Sequence, residues 1–162
     1  MSPQVLAEVA DLPSWSPQTR QLVAEYQVQQ GLRALIARVP NPGVTLNEAT
    51  VSPDGSEVEL TVRSVRELSS WYEVVPRATA SAAGRCERRV DGQLYALGGM
   101  QWRVSLPEVA DLPGVRVTLW AESGELEELP DTTLVRHLCP WEARRRAIRE
   151  REAAAARRAV AA

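Results

Sequence analysis

Glu57-Val58-Glu59-Leu60-Thr61-Val62-Arg63-Ser64-Val65-Arg66-Glu67 decides the fold. Val58, Leu60 and Val62 alternate with Glu57, Glu59, Thr61 and Arg63, the period of a half-buried antiparallel strand. Ser64 and Glu67 then take the S-x-x-E spacing of a capping box. The helix opened there carries Val65, Leu68, Tyr72 and Val75 on one face, and Pro76 ends it.

Upstream, Ser52-Pro53-Asp54-Gly55 is a turn: proline presets φ and glycine supplies a positive one. A strand over 44–51 precedes it and completes a hairpin. Pro40-Asn41-Pro42-Gly43 stops an earlier helix, which begins with Ser16 as N-cap and Pro17 at the first helical position. Leu22 and Tyr26 share a face of it, and Val28, Leu32, Leu35 and Val39 continue the helical period. Gly31 is either a weak spot or a close-packing point.

Downstream, Asp91-Gly92 turns a second hairpin. The strand before it covers 85–90 and can reach back into the small residues 78–84. The strand after it puts Leu94, Ala96, Met100, Trp102, Val104 and Leu106 on one face and Tyr95, Gln101 and Arg103 on the other. Gly98-Gly99 marks a bulge or bend in it. A last strand over 115–121 turns Val115, Val117 and Leu119 inward and Arg116, Thr118 and Trp120 outward. Glu8-Val9-Ala10-Asp11-Leu12-Pro13 recurs as Glu108-Val109-Ala110-Asp111-Leu112-Pro113; six residues with unrelated flanks read as shared loop chemistry rather than duplication.

The fold expected is α+β: a mainly antiparallel five-stranded sheet with two helices on one face, plus a solvated Ala/Arg-rich C-terminal helix. The chain divides into a lead over 1–16, an α+β domain over 17–121, an acidic linker over 122–138 and a basic helix over 139–162. Residues 122–135 hold five acids and no base, and residues 136–162 hold eight arginines and three acids. The formal net charge of −2 hides this polarity and leaves no overall basic field to attract nucleic acid. The chain has neither lysine nor phenylalanine, a bias that GC-rich coding produces and that points to a bacterial source.

Two cysteines, Cys86 and Cys139, make no disulfide framework and read as reduced thiols. With no secretory signal and no apolar run long enough to span a bilayer, the chain is expected to be cytoplasmic. Its one histidine, His137, lies in Arg136-His137-Leu138-Cys139, and with Cys86 these would give a metal at most three soft ligands. No phosphate loop or hydrolase motif is present, so no catalytic residue, metal or cofactor is assigned.

Tyr95, Arg103, Arg116 and Trp120 are the candidate binding residues. Indole, phenol and guanidinium groups dominate protein-binding hot spots. They lie on the sheet face away from the helices, so the leading expectation is a non-enzymatic interaction domain that binds a protein partner or a second copy. The alternative is a nucleic-acid accessory protein gripping phosphates with Arg144, Arg145, Arg146 and Arg149. A second alternative is a small enzyme using paired carboxylates, which would need a deep pocket lined by acids of shifted pKa.

Overall fold

The computed structural model describes residues 16–89 and 91–161, and the side chains of 140–146 fall outside that description. The chain runs α1 (Pro17–Arg38), a 3-10 turn (Leu46–Glu48), β1 (Ala49–Val51), β2 (Glu57–Thr61), α2 (Val65–Val74) and β3 (Thr79–Ala83). It continues through β4 (Cys86–Arg88), β5 (Leu94–Ala96), β6 (Met100–Leu106), β7 (Arg116–Ser123), α3 (Thr133–Leu138) and α4 (Pro140–Ala161). Among the described residues no helix is long and apolar enough to cross a membrane.

The fold is α+β, as the alternation predicts, but its five-stranded sheet is mixed. The order is β1-β2-β7-β6-β3, and β2 runs parallel to β7 while every other neighbour is antiparallel. The directions follow from the connections. β2 and β3 point the same way because α2 carries the chain across between them. The β6–β7 hairpin is inserted between these two strands, and its antiparallel partners leave β7 parallel to β2.

The strand expected over 94–106 is in fact two. Gly98 sits at φ 128, a conformation that breaks the pleat, and β5 leaves the main sheet there. β5 pairs instead with β4 as a separate two-stranded ribbon. The small-residue run supplies β3, the edge of the main sheet. The strand expected from 44 shrinks to β1, because Glu48 Oε2 accepts a 2.8 Å bond from the Thr45 N–H and folds that stretch into the 3-10 turn.

Two helix starts fall where the sequence puts them. The Ser16 hydroxyl caps α1 by accepting from the Thr19 N–H at 3.2 Å. Helix α2 starts after Ser64, yet the Ser64 side chain makes no capping bond. Glu67 is drawn instead against Gly43, and its Oε2 is buried without a hydrogen-bond partner among the described residues. The apolar stripe of α1 buries Val28, Gly31, Leu32 and Leu35. Leu22 and Tyr26, in its first turns, are exposed.

Trp71 and Trp102 are fully buried. Each indole N–H has an acceptor: Trp71 donates to the Pro42 carbonyl at 2.8 Å, and Trp102 to the Ser123 hydroxyl at 2.9 Å. A buried indole left without a partner would forfeit much of what its burial contributes. The acidic stretch expected to be a linker is partly core. It ends β7 with buried Ser123 and adds buried Leu129, Leu134 and Val135. Its α3 is capped by Thr132, whose hydroxyl accepts from the Val135 N–H and also contacts the Ser69 hydroxyl of α2 at 2.8 Å. Residues 1–15, which include most of the expected lead and the first copy of the hexapeptide, lie outside the described residues.

Candidate functional site

The two faces of the main sheet differ in kind. Val58, Leu60, Trp102, Val104, Val117 and Leu119 point inward and are buried. Helix α2 packs against β6 and β7. The opposite face presents Glu57, Glu59 and Thr61 from β2, Arg116, Thr118, Trp120 and Glu122 from β7, and Gln101, Arg103 and Ser105 from β6. The strict alternation along β2, β6 and β7 produces this division, since neighbouring residues on a strand point to opposite sides.

Trp120 is the half-buried centre of that face. Its register partners are Arg103 on β6 and Thr61 on β2. The Arg103 guanidinium lies 5.5 Å from the indole centroid, within cation–π range. Trp120 separates two open hollows. One, of about 650 Å³, is rimmed by Glu48, Glu59 and Glu122, with Arg63 the one base in its lining. The other, of about 280 Å³, is lined by Glu57, Glu59, Arg103 and Arg116 beside Trp120. Arg116 pairs with Glu57 at 3.4 Å, both largely exposed. Glu59 and Glu122 make no ion pair among the described residues. An indole floor edged by unpaired carboxylates suits a cationic, planar group such as a guanidinium.

Three of the four expected binding residues, Arg103, Arg116 and Trp120, thus share one face. Tyr95 does not join them, because it sits on β5 in the separate ribbon. There the Arg89 guanidinium lies 4.5 Å above its ring, and its hydroxyl donates to Asp91 at 3.4 Å. Partial burial, then the charges of Asp91 and Glu128, push the Tyr95 phenol above its usual 10.

Of the arginines expected on the basic helix, Arg149 is exposed on α4, as are Arg151, Arg157 and Arg158. The side chains of Arg144, Arg145 and Arg146 lie outside the described residues. From Ile148 to Ala161 every side chain except Ala154 is exposed. His137 is exposed and tilted against the Tyr72 ring at a centroid distance of 6.2 Å. No group of three or more His, Cys, Asp or Glu among the described residues is placed to hold a metal.

The Asp54 carboxyl is held below the usual carboxylate range, at about 2. The Ser52 hydroxyl is the main cause, followed by the hydroxyl and N–H of Ser56, and all three donate to its Oδ1. This is the chemistry of the β1–β2 turn rather than of a pocket.

The sequence offers no sign that its two cysteines meet, because fifty-two residues separate them. The structure buries both and sets their sulfurs 2.7 Å apart. Comparison with protein-family models, with curated proteins and with solved structures finds no match to this chain.

Proposed function

We propose that this protein is a non-enzymatic interaction module that associates with a second copy of itself. In this reading α1 and α2 cover the apolar face of the sheet and leave the Trp120 face for binding. The Arg-rich α4 of one copy lies along that face in the other. The observation that carries the proposal is charge complementarity: Glu59 and Glu122, without an ion pair among the described residues, beside a half-buried indole, and a helix that exposes Arg149, Arg151, Arg157 and Arg158 against Glu150 and Glu152. Guanidinium groups meeting carboxylates and an indole face combine ion pairing with cation–π attraction. A helix of 22 residues is roughly 33 Å long, enough to reach across a five-stranded sheet.

The test is size-exclusion chromatography with light scattering on the parent and Trp120→Ala. Trp120 points away from the core, so the variant is expected to keep its fold and lose the dimer. Identical profiles would remove this face as the site. A different protein captured on the same face, with the chain monomeric alone, would keep the surface and replace its occupant. The exposed arginines of α4 also suit phosphates, which supports a nucleic-acid reading. A gel shift that falls steeply between low and moderate salt would favour it, and none at low salt would exclude it.

A further inference from the structure

Cys86 opens β4 in the ribbon, and Cys139 is the C-cap of α3, immediately before α4. Both are buried, at 1% and 4% exposure, and their sulfurs lie 2.7 Å apart, inside van der Waals contact for two sulfurs. Their sulfurs bring together two short elements that no β-ladder joins. Oxidation needs only local opening, because β4 has three residues and α3 six.

We propose that Cys86 and Cys139 are a disulfide-forming pair that clasps the β4–β5 ribbon to the root of α4. The oxidant is a low-molecular-weight disulfide. One cysteine thiolate attacks a sulfur of that reagent, forming a mixed disulfide and releasing one reagent thiol. The second cysteine thiolate then attacks the protein sulfur and releases the other reagent thiol. Two protein thiols lose two protons and two electrons, and one reagent disulfide becomes two thiols. The bond closes a loop of more than fifty residues, which restricts the unfolded chain far more than the folded one. It also fixes where the Arg-rich helix leaves the body. In a reducing cytoplasm the pair stays as thiols, and the clasp closes when the surroundings become oxidising.

The experiment uses the full chain, reduced and then equilibrated with oxidised glutathione. The expected product is a single covalent chain, not cross-linked to another, lighter by two hydrogens and with no titratable thiol after denaturation. Its non-reducing peptide map links the segments holding Cys86 and Cys139. Its thermal midpoint rises by roughly 10 °C over the reduced form. The variants Cys86→Ser and Cys139→Ser should show no such rise. If either fails to fold, the peptide map of the parent chain still decides. Two thiols still titratable, glutathione retained on either sulfur, or disulfides between chains would each overturn the proposal.

Discussion

A methyl group added at Gly31 would lie 2.3 Å from the Asp111 carbonyl oxygen and 2.5 Å from Leu112 Cδ2. A backbone carbonyl cannot rotate aside, so α1 must lift from the 108–113 segment. Arg38 pairs with Asp111 in that same contact. The close-packing reading of Gly31 therefore holds, with the second copy of the hexapeptide as its partner. Gly31→Ala is expected to cost about 1–3 kcal/mol and lower the thermal midpoint by roughly 3–10 °C in a melting experiment. An unchanged midpoint would contradict the contact. Asp54 gives a pH-dependent prediction. Its carboxyl is held at about 2 when folded, below the usual 3.8 that it regains on unfolding. The folded state thus favours the charged form, and the stabilisation is full above pH 4 and lost as pH falls toward 2. Acid titration of Asp54→Asn should show less loss of stability across that window than the parent shows.

At the scale of elements, residues that act through near neighbours were legible. Ser16 and Pro17 mark the start of α1, the period of β2 sets its faces, and Ser64 marks the start of α2. What stayed hidden depends on partners far along the chain. No local signal says that β7 lies beside β2, or that β5 turns away at Gly98 to meet β4. The Ser64–Glu67 spacing suggested a reciprocal cap, but contact with Gly43 took the Glu67 side chain elsewhere. Residues 122–138 read as a linker because their first ten positions hold five acids and no base. Three apolar side chains, Leu129, Leu134 and Val135, were enough to tie them into the core. The same contrast in burial orders the elements by local stability. Hydrogen exchange should find the slowest amides in β6 and β7, whose inward side chains are buried and which have a partner on each side. In the dissociated monomer the amides of 148–161 should exchange fastest among the described residues, because their side chains pack on almost nothing of their own chain. Protection there matching that of β7 would mean that the helix docks on its own body rather than on a second copy.

For the whole molecule, the candidate site was legible in part. Alternation alone put Arg103, Arg116 and Trp120 on one face. The acids around Trp120 went unnoticed, since Glu48, Glu59 and Glu122 come from three separate segments that only the strand order brings together. In the proposed reading they favour a cationic occupant over phosphates, which is why the basic helix of a second copy is the occupant proposed. Exposed ion pairs contribute little one at a time, so association should rest on several of them and weaken with salt.

Sedimentation velocity on charge-reversed variants tests this arrangement most directly. One variant carries Glu59→Arg and Glu122→Arg; the other carries Arg149→Glu, Arg151→Glu, Arg157→Glu and Arg158→Glu. The account predicts that each alone associates roughly tenfold or more weakly than the parent. An equimolar mixture should recover the dimer, because each arm then meets a face of opposite charge. Dimers that persist in both variants, or a mixture that stays monomeric, would contradict it.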